Sequence, residues 1–154
     1  MRFITTSLLP VLAAVGVTAS VLPRADYGVW RDVSVTSTRA DSITDRSQTV
    51  TAEYTRSDLS KPIYVTCQLF PIISGEDFAR SSCHPWSFNY SLDKEGSDDD
   101  GYLLKLYLMQ TVEVGGENVT IAGTSETFRQ SCGGGGREVC LAKGLVMAAD
   151  KAIE

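Results

Sequence analysis

Short runs in which apolar and polar residues alternate dominate this chain. The clearest is the stripe Trp86, Phe88, Tyr90 and Leu92, with Ser87, Asn89, Ser91 and Asp93 between its members. A period of two is typical of a β-strand with one buried face. Further stripes of this kind are Val33 and Val35; Val50, Ala52 and Tyr54; Ile63, Val65, Cys67 and Leu69; Leu104, Leu106 and Leu108; and Val119 and Ile121.

Glycine-rich and acidic segments separate these stripes and predict turns. The segment 94–101 (KEGSDDDG) is polar, Gly115-Gly116 is a two-residue hairpin signal, and glycines fill 133–136. Many short strands joined by such turns predict an all-β fold, an antiparallel barrel or sandwich. The last segment, 141–153, is compatible with either a helix or a strand.

The first residues have the features of an export signal. Arg2 precedes a largely apolar stretch, and Val17-Thr18-Ala19 resembles a small-residue cleavage site. The stretch is too short for a membrane span, which needs roughly 20 apolar residues. We expect a signal peptide at 1–19 rather than a buried helix, a short N-terminal or pro-segment at 20–26, and one β-barrel domain at 27–154. The protein is expected to be secreted and extracellular.

Charge narrows the range of partners. The chain has 14 basic and 19 acidic residues, a formal charge of -5. Loss of Arg2 with the signal peptide makes the charge -6. An acidic surface disfavours nucleic acids and anionic membranes, which attract basic proteins.

Four cysteines favour a disulfide framework, because exported proteins keep such bonds in oxidising compartments. Four cysteines allow three pairings. We favour the sequential one, Cys67 with Cys83 and Cys132 with Cys140. A metal site is the alternative, but no Cys-x-x-Cys spacing is present and His84 is the only histidine. No metal and no cofactor are expected.

Candidate catalytic residues are scattered. His84 could serve a triad, but no serine lies in a G-x-S-x-G elbow, so an exposed loop histidine is the better interpretation. The acidic run 98–100 lacks the ligand spacing of a calcium loop. A carboxylate pair for glycoside cleavage stays open as a hypothesis. Its candidates are Glu53, Asp93, Glu113 and Glu126.

Two sequons and four aromatic residues are candidate carbohydrate features. Asn89 and Asn118 each start an N-glycosylation motif. Asn89 is predicted to point outward from its stripe, and Asn118 to lie on an exposed hairpin. The aromatic residues could form a sugar-binding platform, but their alternation favours packing in the core. These residues are Trp30, Trp86, Phe88 and Tyr90.

Several motifs together resemble the Alternaria major allergen family. They occur in the family's order and spacing and cover nearly all of 27–147. They are Tyr27 to Val33 (YGVWRDV), Val65-Thr66-Cys67, Ser82-Cys83, Phe88 to Asp93 (FNYSLD), Gly101 to Lys105 (GYLLK), and Cys132 with Val139-Cys140.

The resemblance implies a fungal secreted β-barrel with two intrachain disulfides, formed by Cys67, Cys83, Cys132 and Cys140. Its members include allergens and elicitors of plant immunity, and the family is associated with thaumatin-like plant defence proteins. No catalytic residues carry over. The allergen-type members have a further cysteine near the mature N-terminus that links two subunits. Residues 20–66 contain none, so a covalent dimer is not expected.

These observations predict a non-catalytic effector or elicitor that binds plant defence proteins in the apoplast. Its predicted partner contacts are Asp98, Asp99, Asp100 and Arg137. The alternatives are a carrier of a small hydrophobic ligand, because β-barrels can hold one, and a hydrolase that acts on cell walls.

Overall fold

The computed structural model describes residues 26–40, 47–71, 78–135 and 137–153. The predicted signal peptide and most of the segment 20–26 lie outside these residues. The described residues form ten β-strands. They are β1 Val29–Ala40, β2 Ser47–Thr55, β3 Ile63–Pro71, β4 Phe78–His84, β5 Asn89–Asp98, β6 Gly101–Val114, β7 Glu117–Thr124, β8 Phe128–Gly133, β9 Arg137–Ala148 and β10 Lys151–Ile153.

All the strands belong to one antiparallel sheet that curls into a half-barrel. The strand order is β10-β7-β6-β8-β9-β1-β2-β3-β4, and β5 pairs with β6. The predicted all-β class is therefore confirmed. No helix in the described part of the chain is long and apolar enough to cross a membrane.

β7 and β8 lie end to end along one edge of β6. β7 pairs with Tyr107–Val114, and β8 pairs with Gly101–Leu104. Ser125 fills the gap between them. Its backbone N donates to Leu106 O at 2.9 Å, and its Oγ accepts from Leu106 N at 2.9 Å. The hydroxyl therefore replaces a missing backbone acceptor and keeps the sheet continuous.

The core lies on one face of the sheet. Most of the predicted stripes are buried there, because alternate residues of a strand point to the same face. The Trp30 and Tyr54 rings, both fully buried in this core, have their centroids 5.7 Å apart. Other buried stripe residues are Val33, Val35, Val50, Ala52, Val65, Cys67, Phe88, Tyr90, Leu104, Leu106, Leu108 and Ile121.

The stripe prediction was wrong at Trp86, whose side chain is 91% exposed. Ile63, the first residue of β3, is 37% exposed at the end of its stripe. β5 begins only at Asn89, and a turn that starts with a cis His84-Pro85 bond precedes it. Side chains alternate strictly only within a strand, so the pattern does not extend back to Trp86.

Two turn predictions also need correction. The segment 94–101 is mostly strand, because β5 continues to Asp98 and β6 starts at Gly101, so Asp99-Asp100 alone connects them. Gly133 is the last residue of β8, and residue 136 lies outside the described ranges. The Gly115-Gly116 hairpin is confirmed, and both glycines have positive φ.

The final segment forms strands rather than a helix. β9 pairs with β1 along most of its length, and β10 pairs with β7. The alanines and lysines of this segment favour a helix, but neighbouring strands need partners for their backbone groups. Tertiary pairing therefore decides its conformation.

Candidate functional site

A cavity of about 280 Å³ lies between the end of β2, the start of β3 and the far end of β6. Its wall is largely apolar, although polar groups from β2 and β6 border it. The apolar members are Leu59, Ile63, Pro85 and Val112. A mostly apolar cavity with few polar groups is the usual form of a small-molecule site.

Arg56 is the basic residue that borders this cavity. Its side chain is 6% exposed. Nε donates to Asp58 Oδ1 at 2.5 Å, and Nη2 donates to Asp58 Oδ2 at 2.7 Å and to the backbone O of Glu113 at 2.5 Å. The hydrogen bonds to Asp58 raise the pKa of Arg56, and the same bonds lower the pKa of Asp58.

The remaining guanidinium nitrogen, Nη1 of Arg56, is buried and has no hydrogen-bond partner. Among the described residues, it is the one buried side-chain nitrogen or oxygen in this condition. The Tyr54 phenol lies beside the Arg56 guanidinium, and both the Arg56 charge and a side-chain hydrogen bond with Arg56 act to lower the pKa of Tyr54. The Tyr54 hydroxyl itself donates to Tyr27 O at 2.6 Å. Burial is the main cause that raises the pKa of Tyr54.

Asp26 adds negative charge at this end of the sheet. Its carboxylate accepts from Gly28 N at 2.9 Å and from Ser57 N at 3.2 Å. A side-chain hydrogen bond with Ser57 is the largest cause that lowers the pKa of Asp26, and the Arg56 charge also contributes.

A second concavity, of about 360 Å³, lies between β4 and β5. Trp86 stands at its edge, and Ser81, Ser82 and Asn89 supply polar groups to its wall. The turn 85–88 separates this groove from the cavity. Pro85 and Ser87 face the cavity, whereas Trp86 and Phe88 border the groove.

Tyr64 is a second exposed aromatic residue at this end of the sheet, and its side chain is 58% exposed. Thr66 and His84 form the last residue pair of β3 and β4. Tyr64 and Trp86 each lie two positions beyond this pair, at the same end of the two strands. We call Tyr64, Ser81, Ser82, Trp86 and Asn89 the Trp86 surface.

The predicted partner contacts lie at the opposite end of β5. Asp98 receives two hydrogen bonds from Arg129 and one from Asp100 N, so its charge is already paired. Cys132 N donates to Asp100 O at 3.0 Å. This bond brings the acidic turn beside the hairpin of β8 and β9, where Arg137 is the first residue of β9.

Both disulfides form as predicted. Cys67 bonds to Cys83 across β3 and β4, and Cys132 bonds to Cys140 across β8 and β9. Glu138 lies close to the second pair. Because both sulfurs there are in a disulfide, one carboxylate is left, which is too few ligands for a metal site.

The sequon residues Asn89 and Asn118 are exposed, as predicted, although modification itself stays a prediction. Asn89 Oδ1 accepts from Tyr90 N at 2.8 Å. Asn118 lies on the β6–β7 hairpin. A glycan on Asn89 would cover part of the Trp86 surface.

The candidate catalytic residues are spread over separate elements. His84 is exposed at the end of β4. Glu113 borders the cavity. The other carboxylates, Glu53, Asp93 and Glu126, are exposed on β2, on β5 and in the gap between β7 and β8. None of these three residues lines the cavity or the groove.

Sequence reasoning missed three polar residues on the inner face. Gln110 accepts from Trp30 Nε1 at 3.0 Å. Gln130 Nε2 donates to the backbone O of Val35 and of Cys140 at 3.2 and 3.1 Å. The third is Arg56. A usable signal existed, because Gln110 continues the stripe of Leu104 to Leu108, and Arg56 continues that of Val50 to Tyr54.

The two disulfides are typical of a protein that works in an oxidising, extracellular environment. The chain matches no protein-family model, no characterised protein and no solved structure.

Proposed function

We propose that this chain is a secreted, non-catalytic effector or elicitor of a fungus, which binds a plant defence protein of the thaumatin-like type in the apoplast. The support comes from the resemblance to the Alternaria major allergen family at YGVWRDV, FNYSLD and the two cysteine pairs. The disulfide framework agrees with this resemblance.

Exposure of Trp86 is the observation that carries the proposal. An indole that is 91% exposed loses the favourable burial that most tryptophans gain on folding. Tryptophan, tyrosine and arginine are enriched among the residues that dominate binding energy in protein interfaces. Trp86 and Tyr64 at one end of the sheet therefore favour this end as the contact surface.

The rest of the Trp86 surface suits a protein partner. Ser81, Ser82 and Asn89 supply hydroxyl and amide groups around the exposed rings. A central aromatic anchor with a polar rim is the usual composition of an interface. The acidic turn at the other end of β5 takes a different role, in which Asp99 and Asp100 steer a basic partner from a distance.

The test is a pull-down from plant apoplastic fluid with oxidised protein from a non-glycosylating host, read by mass spectrometry. Trp86→Ser removes the aromatic anchor. Val146→Ser is the matched control, because Val146 is 62% exposed on β9, outside the Trp86 surface. We expect the unchanged protein and the control to recover a thaumatin-like protein, and Trp86→Ser to recover at least tenfold less.

Two outcomes oppose the proposal in different ways. Equal recovery by Trp86→Ser would show that binding uses another surface. Recovery of no defence protein by the unchanged, folded chain would remove the proposed function itself. Reduced and alkylated protein is the control that measures non-specific capture in the pull-down.

Electrostatic steering by the acidic turn is tested with the double variant Asp99→Lys and Asp100→Lys. This variant keeps the ion pair between Asp98 and Arg129. We expect slower association at low salt and little change in dissociation, because long-range charge acts mainly on the encounter. An unchanged association rate across salt concentrations would remove the acidic turn from the mechanism.

A further inference from the structure

A polar cavity of about 120 Å³ is bordered by residues of β1, β2, β5, β6 and β8. We call it the Arg39 cavity, and we propose that it binds a small oxyanion, namely a phosphate or sulfate group. This site goes beyond the proposed function, because it shares no residue with the Trp86 surface. Its test is therefore independent of the capture of a protein partner.

Two cationic side chains meet at the ring of Tyr102, which also borders this cavity. The guanidinium carbon of Arg39 and Nζ of Lys94 each lie 4.5 Å from the centre of that ring. The ring attracts each cation, but two like charges that share one ring repel each other. An anion in the cavity that both cations border would remove this repulsion.

No carboxylate neutralises this pair of cations. In the described part of the chain, neither Arg39 nor Lys94 forms an ion pair, and no acidic residue borders the cavity. Glu138 is the cross-strand neighbour of Arg39. Its carboxylate lies within 4.8 Å of the sulfurs of the Cys132–Cys140 disulfide. Two unneutralised cations at one cavity create a local site for negative charge, although the whole chain is acidic.

Arg39 keeps charged donors for a ligand. Its Nη1 donates to the hydroxyl of Tyr102 at 2.6 Å, which holds the guanidinium at the cavity. Nε and Nη2 have no hydrogen-bond partner among the described residues. Because the side chains of Arg39 and Lys94 are both exposed, a ligand from solution can reach their donors.

Two neutral side chains add further donors. Oε1 of Gln48 accepts from the hydroxyl of Tyr90 at 3.1 Å, so the amide NH₂ is the end that is left to donate. Oγ of Ser37 accepts from Nε2 of the buried Gln130 at 3.1 Å. The Ser37 proton reaches Oε1 of Gln130 only at 3.5 Å, which is long for a hydroxyl hydrogen bond. This proton is therefore available to a ligand.

Size and donor set determine the class of ligand. Sites for whole small molecules usually exceed about 300 Å³, so the Arg39 cavity suits a single anionic group. Two cations favour a dianion over a monoanion. Donors from β1, β2 and β5 suit a tetrahedral group that presents several oxygens. An inorganic ion and an ester group of a larger molecule share this chemistry.

The test compares four anions at pH 8 and constant ionic strength: sulfate, perchlorate, inorganic phosphate and methyl phosphate. Sulfate and perchlorate are both tetrahedral and differ in charge, whereas the two phosphates separate a free ion from an ester. Binding to the full chain is followed by NMR. The reporters are the methyl signals of Leu92 and Leu104, which border the cavity, and the side-chain carbon signals of Arg39 and Lys94.

We expect saturable shifts with sulfate and at least about fivefold weaker binding of perchlorate, because the second charge strengthens the attraction to both cations. Methyl phosphate that binds more tightly than inorganic phosphate would support the site and identify an ester group as its ligand. The reverse order would support the site and identify the free ion.

Variants test the two cations directly. Arg39→Gln and Lys94→Gln should each weaken sulfate binding at least about fivefold, because each removes a charge-assisted hydrogen bond. Arg31→Gln and Lys143→Gln are the matched controls, which remove the same charge from exposed positions of β1 and β9 outside the cavity. Glu138→Gln should strengthen sulfate binding, because it removes the carboxylate opposite Arg39.

Three outcomes would overturn the proposal or one of its parts. Equal losses in the cavity variants and their controls would show that only net charge matters, which would overturn the site. Equal affinity for sulfate and perchlorate would overturn the dianion class. The absence of saturable shifts with every anion would overturn the site on the unchanged protein alone, whether or not the variants fold.

Discussion

Nε1 of Trp30 donates a hydrogen bond of 3.0 Å to Oε1 of Gln110, a residue 80 positions later in the chain. Both side chains are almost completely buried. This bond joins β1 to β6 through the core, where no backbone pairing links the two strands. A glutamine is retained inside an apolar stripe because the indole N–H needs an acceptor.

Gln110→Leu should therefore destabilise the protein, although leucine is the more apolar residue. The substitution leaves Trp30 Nε1 buried without an acceptor, which costs about 1–3 kcal/mol. Urea unfolding followed by circular dichroism measures the loss. The double variant Trp30→Phe with Gln110→Leu should show a smaller loss than the two single variants together. Strict additivity would contradict the coupling.

Each disulfide should stabilise the fold independently. The Cys132–Cys140 and Cys67–Cys83 bonds span 8 and 16 positions, and bonds of this kind contribute roughly 2–4 kcal/mol. For a domain of this size, that free energy corresponds to about 4–16 °C in melting temperature per bond. Calorimetry of the pairwise cysteine-to-alanine variants measures it. Melting curves that coincide with that of the oxidised protein would refute a structural role.

Stability should fall at acid pH through Asp26 and Asp58. Hydrogen bonds lower the pKa of both carboxyl groups in the folded state. Their contribution is present above the unfolded value of about 3.9 and disappears as the pH falls through the folded values. Asp58→Asn should flatten the curve of unfolding free energy against pH below about pH 4. Parallel curves for the variant and the unchanged protein would contradict this assignment.

Stability should also fall at strongly alkaline pH, in this case through Tyr90. Burial raises the pKa of its phenol, and the hydroxyl donates to Gln48. The neutral form is favoured in the folded state, so its contribution is complete below the unfolded value of about 10 and is lost as the pH rises above it. Tyr90→Phe should lose about 1 kcal/mol at neutral pH and show a shallower alkaline decline. An equally steep decline would contradict this explanation.

The sequence was sufficient to predict the strand stripes and the cysteine pairs. Alternation identifies which residues of a strand share a face, as Leu104, Leu106 and Leu108 illustrate. It failed at Trp86, because strand periodicity carries no information about where β5 begins. The end of the preceding strand and the turn at Pro85 decide that boundary.

The candidate sites were less accessible from the sequence. Arg56 meets Glu113 and Gln110 meets Trp30 across the sheet, at separations that only the fold defines. The acidic turn was visible as charge, but the pairing of Asp98 with Arg129 was not. Long-range partners depend on strand order, which a single chain does not reveal.

The contrast between the two tryptophans gives the protein a pair of built-in optical reporters. The chain has 2 tryptophans, of which Trp30 is fully buried and Trp86 is 91% exposed. Indole emission shifts to longer wavelength in water, and iodide in solution quenches only the indole that it reaches. The quenchable part of the fluorescence therefore follows events at the molecular surface, and the protected part follows the integrity of the core, without any added label.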